Sequence, residues 1–393
     1  MAHRPFDVIV YGATGFTGQL VAEYLARGGA TERWALAGRN RAKLEALRTR
    51  LEKIDARWKG LPIVEASATD QASLNAMAAQ THVVLSTVGP FIRYGLPLVE
   101  ACVEESTNYC DITGEPEFVD ATLGHHETAR EKGIRIVSCC GFDSVPHDLG
   151  AFLCARRLRE LAGEVPMRVR GFVRSRGTFS GGTWQSAVQA FANFREHQAK
   201  RKTRTRIQAT NGRSVRAVKG GIQREPALGA WAVPLPTIDG EIVRRSAKAL
   251  DLYGPEFRYG HYAQVKKLPT VIVGGAAVAG IALMAQLPPT RKLLQNFKGS
   301  GEGPTESERA KSWFKATFLG EAAGQRVKTV VSGGDPGYDE TAKMIAETAL
   351  SLAASREDEE RASGVVTPVV ACGMDLVERL AAAEMGFETH DRW

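Results

Sequence analysis

Three glycines at every third position form the first stretch of the chain that could do chemistry. Residues 10–21 read VYGATGFTGQLV, and Gly12, Gly15 and Gly18 follow directly after the apolar run FDVIVY. Glycines so placed can end a strand in a tight turn, bring backbone N–H groups close to a phosphate, and let the next helix pack closely on a sheet. The spacing alone also suits a plain strand-to-helix turn, so the surrounding elements must decide between the two.

The first 145 residues alternate short apolar runs with longer amphipathic stretches. Runs such as FDVIVYG and THVVLSTVG are separated by helical patterns, which is typical of repeated βαβ units. The pattern predicts an α/β fold whose first domain is a Rossmann-type, doubly wound parallel sheet that binds a dinucleotide. The residues expected to hold the pyrophosphate are Gly12, Ala13, Thr14, Gly15, Phe16, Thr17 and Gly18.

The end of the second predicted strand indicates which dinucleotide binds. The stretch LAGRNRAKL places Arg39 and Asn40 where an NAD-preferring site carries Asp or Glu. A guanidinium can bind a 2′-phosphate with two hydrogen bonds. We therefore predict that NADP(H) is preferred over NAD(H); the alternative is an ordinary basic first turn of the next helix.

The fourth predicted strand should contribute the other half of the cofactor site. The sequence VVLSTVGPF ends this strand in a Gly-Pro turn, at the edge of the sheet where the nicotinamide end should lie. A simple strand-ending turn is the alternative. The residues expected to line the ribose and nicotinamide are Ser86, Thr87, Val88, Gly89 and Pro90.

Length and composition fit a folded protein of two domains. The chain has 393 residues, of which 44% are hydrophobic. Its six cysteines lie at no CxxC or Cys/His spacing that would suit zinc, so we expect buried thiols in a reducing compartment and no metal site. The N-terminal stretch lacks the pattern of a signal peptide, which predicts a cytoplasmic location.

Several further stretches share their residues with one known family. They are GATGFTG, AGRN, TVGPF, YCDITGE, GFDSVPHDLG, SWFKATFLGE, SGGDPGYDETAKM and GVVTPVVACGMDLVERL. From about Asp7 to the C-terminus the chain resembles the saccharopine dehydrogenase-like oxidoreductases, and most closely the subgroup called trans-acting enoyl reductases.

The resemblance implies both an architecture and an activity. We expect residues 1–145, completed by 335–393, to form the NAD(P)-binding domain, and residues 146–334 to form a second α/β domain on a mixed sheet for substrate binding and dimerisation. The implied activity is NADPH-dependent reduction of a carbon–carbon double bond in a lipid or polyketide acyl chain, held by a partner synthase, within lipid or glycolipid biosynthesis. Two alternatives remain: a saccharopine-type dehydrogenase acting on an amino-acid-derived imine, and a lipid-associated NADP-binding protein with little turnover.

Enoyl reduction needs a proton donor and a hydrogen-bond donor to the thioester oxygen, besides the hydride. The candidates for these donors are Tyr94, then Asp143, Ser144 and His147 in GFDSVPHDLG, and Ser180 and Thr183 in FSGGTW. Four of them have a structural alternative: Tyr94 could only pack, Asp143 and Ser144 could form a turn or a helix cap, and His147 could lie at the surface.

Two segments of the second domain could bind a membrane or another protein, and the first of them is uncharged. Residues 268–290 carry no charge between Lys266-Lys267 and Arg291-Lys292. They could form a buried helix or a subunit contact of a homodimer, insert into an anionic membrane surface or a lipid tunnel, or span a bilayer.

The second of these segments is strongly basic. Residues 195–224 hold ten Lys or Arg and one acid, so they could bind anionic lipids, an acidic carrier protein or carrier-bound phosphopantetheine, or form a solvated loop. No nucleic-acid-binding module accompanies the charge, so we expect no nucleic-acid partner.

Overall fold

The computed structural model describes residues 4–28, 32–177, 212–296, 303–355, 358 and 361–393. The chain divides into two compact units: Met1–Val145 with Tyr338–Ala383, and Pro146–Gly337 with Glu384–Trp393. Residues 335–337 and 384–393 thus belong to the second unit, which corrects the expectation that 335–393 all complete the first. For the last ten residues the reason is a C-terminal strand, which pairs with a strand of the second unit.

The first unit is built on a seven-stranded, wholly parallel sheet. Its strands are β1 (Phe6–Tyr11), β2 (Trp34–Gly38), β3 (Ile63–Glu65), β4 (Thr81–Ser86), β5 (Asn108–Asp111), β6 (Arg135–Val137) and β14 (Gly364–Val366). Their order is β14-β6-β5-β4-β1-β2-β3, so the winding direction reverses between β1 and β4. A reversal of this kind opens a crevice at the carboxyl ends of the two strands. The predicted doubly wound parallel sheet is confirmed.

Eight helices accompany this sheet in the described residues. They are α1 (Phe16–Arg27), α2 (Arg41–Glu52), α3 (Gln71–Ala78), α4 (Phe91–Glu104), α5 (Pro116–Thr122), α6 (His126–Glu131), α12 (Asp339–Ala354) and α13 (Pro368–Ala382). Local signals start several of them, because side-chain oxygens of Asn40, Asp70 and Thr367 accept hydrogen bonds from the first turns of α2, α3 and α13. Gly373, with φ of 56°, bends α13.

A buried carboxyl group, that of Asp111, joins the loops after β5 and β6 at the carboxyl edge of the sheet. Its Oδ1 accepts hydrogen bonds from the backbone N–H groups of Thr113 at 2.9 Å and Cys139 at 3.2 Å, and its Oδ2 accepts from the Ser138 hydroxyl at 2.9 Å. Complete burial raises the pKa of Asp111 to about 6, although these donors act in the opposite direction. This edge of the sheet therefore contains a buried carboxyl group whose pKa is raised toward neutral pH.

The second unit is built on a mixed sheet, as predicted. Its strands are β7 (Met167–Arg176), β8 (Ser214–Ala217), β9 (Gln223–Glu225), β10 (Ala230–Pro234), β11 (Glu256–Val265), β12 (Trp313–Ala322), β13 (Gln325–Gly333) and β15 (Gly386–His390). The order is β15-β13-β12-β7-β11-β10-β9, and β8 pairs with β11. Strand β11 is parallel to β7 and β8, and the other pairs are antiparallel.

Helix α7 begins at the boundary between the units and packs on the sheet of the second. The helices of this part are α7 (Val145–Ala162), α8 (Asp239–Ala249), α9 (Leu268–Gln286), α10 (Pro288–Asn296) and α11 (Glu306–Arg309). A Cβ atom at Gly150 would lie 2.0 Å from the Phe318 ring, and one at Gly320 would lie 2.4 Å from Cys154 Sγ. Missing side chains on both sides therefore let α7 approach β12.

Most of the uncharged segment 268–290 forms helix α9, which is exposed rather than part of a core. Only 12% of the most apolar window of α9 is buried, and its mean hydropathy is 2.0. The alternative of a helix buried in its own domain is therefore wrong, although the segment is long and apolar enough to cross a membrane by length and composition. All six cysteines, in contrast, are buried and free, as predicted.

Replacing Asp111 by Asn should remove part of the pH dependence of stability. Because folding raises its pKa from 3.8 to about 6, the stabilising contribution of Asp111 is fully present below pH 3.8 and is lost as the pH rises through 6. The shift corresponds to about 3 kcal/mol. Urea denaturation between about pH 4 and pH 7.5 should therefore show the free energy of unfolding moving in favour of Asp111→Asn as the pH rises.

The exposed Glu131→Gln variant controls for the loss of one carboxyl group. A difference between wild type and Asp111→Asn that stays constant across the pH range would contradict the raised pKa.

Candidate active site

The glycine loop is held by contacts that leave no room for side chains. Gly12 has φ of +85°, a conformation that favours glycine, and its carbonyl accepts a hydrogen bond from Gly15 N–H at 2.9 Å. A Cβ atom at Gly18 would lie 2.2 Å from the Gly12 carbonyl oxygen. The loop therefore brings the first turn of α1 directly against the end of β1.

The N-terminus of α1 differs from those of its neighbours. Its N-cap is Gly15, which has no side chain to accept a hydrogen bond, and its first turn holds no acidic residue. Helices α2 and α3, in contrast, are capped by Asn40 and Asp70. A helix start with a glycine N-cap and a positive dipole end is suited to bind a phosphate, so this loop fits the pyrophosphate of a dinucleotide.

The two basic residues after β2 have different surroundings. Arg41 binds Glu45 at 3.1 Å and Glu65 at 3.0 Å. Arg39 is exposed and makes no hydrogen bond or ion pair within the described residues, and its charge opposes the effect of burial, which raises the pKa of Tyr11 to about 12. Arg39 is thus the guanidinium left to bind an added anion beside β1. Asn40 does not share this freedom, because its Oδ1 accepts from Lys43 N–H at 3.0 Å.

The end of β4 lies against the glycine loop. Thr87 donates its backbone N–H to the Tyr11 carbonyl at 3.0 Å and its hydroxyl to the Gly12 carbonyl at 3.2 Å. Ser86 is buried and accepts from Val88 N–H at 3.4 Å, whereas Gly89 and Pro90 are exposed and joined by a cis peptide bond. The structure therefore brings Ser86–Pro90 together with the glycine loop, and their contact with a dinucleotide stays a prediction.

A carboxylate missed by the sequence analysis closes the start of the next helix. Glu115 accepts hydrogen bonds from the backbone N–H groups of Phe91 at 3.0 Å and Ile92 at 2.9 Å. A negative charge here stabilises the N-terminus of α4. Of the helices that follow β1 and β4, α4 therefore already has a carboxylate of the protein at its N-terminus. The stretch YCDITGE places Glu115 after a strand, but nothing local indicates its distant partner.

Tyr94 and Asp143 remain accessible in the first unit, whereas Ser144 does not. Tyr94 is half-buried in the first turn of α4, and the Arg93 guanidinium lies 5.0 Å from its ring centre. Asp143 is exposed, and its Oδ2 lies 2.9 Å from the place of a Cβ atom at Gly114. Ser144 is fully buried and its hydroxyl donates to the Asp143 carbonyl, which fits the turn-forming alternative.

His147 belongs to a buried cluster in the second unit. Its Nδ1 lies 2.8 Å from Asp239 Oδ1, and His261 Nε2 lies 3.7 Å from Asp239 Oδ2. All three side chains are buried, so the alternative of a surface position for His147 is wrong. Tyr259 Oη lies 3.4 Å from His261 Nδ1 and can orient that ring. Thr183, like Ser180, lies outside the described residues.

Burial and the neighbouring groups of the cluster shift the pKa values of Asp239 and His261. Burial acts to raise the pKa of Asp239, but the two imidazoles and the Thr237 hydroxyl outweigh it and hold this pKa below its usual range. Burial lowers the pKa of His261 to about 4, so this ring is neutral at pH 7. The sequence predicts no metal site, yet the ligand atoms of these three residues lie within 4.8 Å of one another and could hold a metal ion. That prediction stays untested.

Known proteins are similar to this chain over nearly its whole length. Residues 8–137 match the family described as saccharopine dehydrogenase NADP binding domain. The chain is 36% identical to a putative trans-acting enoyl reductase of Mycobacterium tuberculosis over 98% of both chains. It is 34% identical to a trans-acting enoyl reductase of Mycobacterium bovis over 97% of both chains, and 33% identical to one of Mycobacterium ulcerans over 96% of both.

A solved structure shares the fold. Apo saccharopine dehydrogenase (L-Glu forming) from Saccharomyces cerevisiae aligns with 98% of this chain and 99% of its own, with a TM-score of 0.55 and 13% identity. At this identity the likeness concerns the fold alone. The NADP-binding domain and the relatives named enoyl reductase establish an NAD(P)-dependent oxidoreductase. The chain belongs to the saccharopine dehydrogenase-like oxidoreductases, in the group of the trans-acting enoyl reductases.

Proposed function

We propose that the protein reduces an enoyl double bond in a lipid or polyketide acyl chain, using NADPH, while a separate synthase carries the chain. The observation that carries this proposal is the identity of 33% to 36% with proteins named trans-acting enoyl reductase, which extends over the second unit as well as the first. The likeness to saccharopine dehydrogenase is one of fold and supports no amino-acid substrate.

The preference for NADPH over NADH rests on the surroundings of Arg39. Arg41 is engaged by Glu45 and Glu65, whereas Arg39 makes no ion pair within the described residues. A 2′-phosphate would give Arg39 a charge-assisted partner, which is worth more than a neutral hydrogen bond. NADH offers only a hydroxyl at the same place. The family description of an NADP-binding domain supports the same preference.

The chain's own groups would divide the work of the reaction. The nicotinamide, when bound, supplies the hydride for the β-carbon. The N–H groups at the start of α1 would hold the pyrophosphate, and the loop Ser86–Pro90 would orient the nicotinamide end. Tyr94 is the described side chain best suited to donate a proton or a hydrogen bond, because it is half-buried in the first turn after that loop and ends in a hydroxyl.

Docking of an acidic carrier by the basic stretch 195–224 also remains a proposal. Residues 195–211 lie outside the described residues. Arg213 is engaged within the protein: its guanidinium donates to the carbonyls of Ala247, Lys248 and Leu250 at the end of α8. Carrier binding would therefore rest on the other basic residues of the stretch.

The activity can be tested with purified protein, NADPH and two substrate classes. A trans-2-enoyl thioester, offered as a free thioester and on an acyl carrier protein, should be reduced with one NADPH oxidised per saturated product, which mass spectrometry detects as a gain of two hydrogens. Oxidation with a glutamate–aldehyde mixture and none with enoyl thioesters would favour the imine dehydrogenase instead. NADPH binding without oxidation in either mixture would favour a binding protein with little turnover.

Replacing Arg39 by Gln should weaken NADPH binding and leave NADH binding unchanged. A hydrogen bond to a charged group contributes about 1.5 to 3 kcal/mol, so the Kd for NADPH should rise roughly tenfold to a hundredfold. Calorimetric titration of both cofactors measures the ratio. Arg41→Gln is the matched control, since Arg41 already has carboxylate partners. If both variants change the ratio equally, Arg39 does not bind the 2′-phosphate.

Replacing Tyr94 by Phe should lower kcat and leave the Kd for NADPH unchanged. Loss of a general acid costs roughly a hundredfold or more in rate. Tyr24→Phe is the matched control, because the Tyr24 hydroxyl donates to Glu347 at 2.6 Å on the side of α1 that packs on α12. The control should lose stability but keep its kcat. An unchanged kcat in Tyr94→Phe would leave Tyr94 a packing residue.

A further inference from the structure

The second unit carries a cluster of exposed apolar residues, which we call the apolar surface and define as the exposed apolar side chains of α9, Leu287 and α10. Seven of the ten large apolar side chains exposed in the described residues lie within this one segment, and they are Leu268, Ile272, Val273, Leu283, Met284, Leu287 and Leu293. The most exposed are Leu283 at 71% and Val273 at 70%. A helix that is apolar on all sides is normally buried. An exposed apolar surface of this extent marks an interaction site.

The charges beside the apolar surface indicate what covers it. Lys266 and Lys267 precede α9, and Arg291 and Lys292 follow it, while no acidic residue lies between Glu256 and Glu302. Cations on both sides of an apolar segment suit an anionic lipid surface, where the apolar side chains enter the acyl region and the cations meet head groups. Two copies of the same surface would instead bring like charges together.

The topology of the sheet places both ends of α9 on the same side of a bilayer. The helix follows β11, and the chain returns to β12, and both strands pair with β7. A helix that crossed the bilayer would need a second crossing within residues 287–312. Those residues include Arg291, Lys292 and Glu302 and hold no second apolar run of sufficient length.

We propose that the apolar surface binds this protein peripherally to membranes rich in anionic phospholipid, with α9 lying in the boundary between head groups and acyl chains. The lysines at its start can extend toward the head groups while their stems cover apolar surface. Arg291 has a further structural part, since its Nε donates to the Ala285 carbonyl at 2.8 Å near the end of α9. The proposal is independent of the reaction, because it needs neither NADPH nor turnover.

Vesicle co-sedimentation tests the proposal with the full chain. Wild type should bind vesicles of phosphatidylcholine and phosphatidylglycerol, about 7:3, at least tenfold more strongly than pure phosphatidylcholine vesicles, and salt at about 0.5 M should reduce this preference. The triple variant Ile272→Gln, Val273→Gln, Leu283→Gln should bind at least tenfold more weakly. These side chains are exposed, so the variant should keep its thermal unfolding temperature.

Two control variants separate the apolar contribution from the electrostatic one. Ile54→Gln with Ile222→Gln replaces large apolar side chains exposed elsewhere and should bind vesicles like wild type. The variant Lys266→Gln, Lys267→Gln, Lys292→Gln should lose most of the preference for anionic vesicles; it retains Arg291 because of the contact at the end of α9.

Three outcomes would overturn the proposal. They are a wild-type protein that stays in the supernatant with anionic vesicles, a triple glutamine variant that binds them like wild type, and a wild-type dimer that the triple glutamine variant converts to a monomer without weakening vesicle binding. Analytical ultracentrifugation of the same samples detects the third, which would assign the apolar surface to a second copy of the chain.

Discussion

The contact between Gly18 and the carbonyl of Gly12 is the constraint on which the first unit depends. A side chain at residue 18 would begin 2.2 Å from that oxygen, so the helix can approach the strand only where its first turn presents a bare Cα. Helix α1 also contacts the segment that begins at residue 338. At its start the Phe16 ring lies edge-on against Tyr338, and further along Tyr24 donates to Glu347 of α12 at 2.6 Å. The segment from residue 338 onward thus packs against α1, the helix that follows the glycine loop.

At the carboxyl edge of the same sheet, a carboxylate lies at the N-terminus of α4 and none lies in the first turn of α1. Glu115 accepts from the first N–H groups of α4, whereas the N-cap of α1 is a glycine and its first turn holds no acidic residue. An incoming pyrophosphate would meet repulsion at α4 and a positive dipole end at α1. The position of Arg39 beside β1 then adds a second anion-binding group on the same side. In the proposed site, the protein's own carboxylates would thus direct a pyrophosphate to α1, and Arg39 would favour a 2′-phosphate.

Local sequence was sufficient wherever one short segment determines the local structure. The turns at the glycine loop and at Ser86–Pro90 could be predicted because a strand, a turn and a helix start follow one another directly, while their contacts with a cofactor stay predictions. Asp111 and Glu115 could not be assigned partners, since their hydrogen bonds reach loops that lie 27 and 24 residues away along the chain. The C-terminal strand could not be assigned to the second unit either, because its sequence GFETH holds a single large apolar residue and indicates neither a strand nor a pairing with β13.

The buried His147, Asp239 and His261 show the limit of spacing arguments most clearly. A sequence motif shows ligands or acid–base groups that lie a few residues apart, whereas these three residues come from three separate elements, α7, α8 and β11. Their environment also gives the second unit a pH response opposite to that of Asp111. A lowered pKa for Asp239 and for His261 means that their contribution to stability is present above the unfolded values and is lost as the pH falls. Asp111 loses its contribution as the pH rises. Acid therefore weakens the contribution of this buried cluster, whereas a rise in pH through about 6 removes that of Asp111.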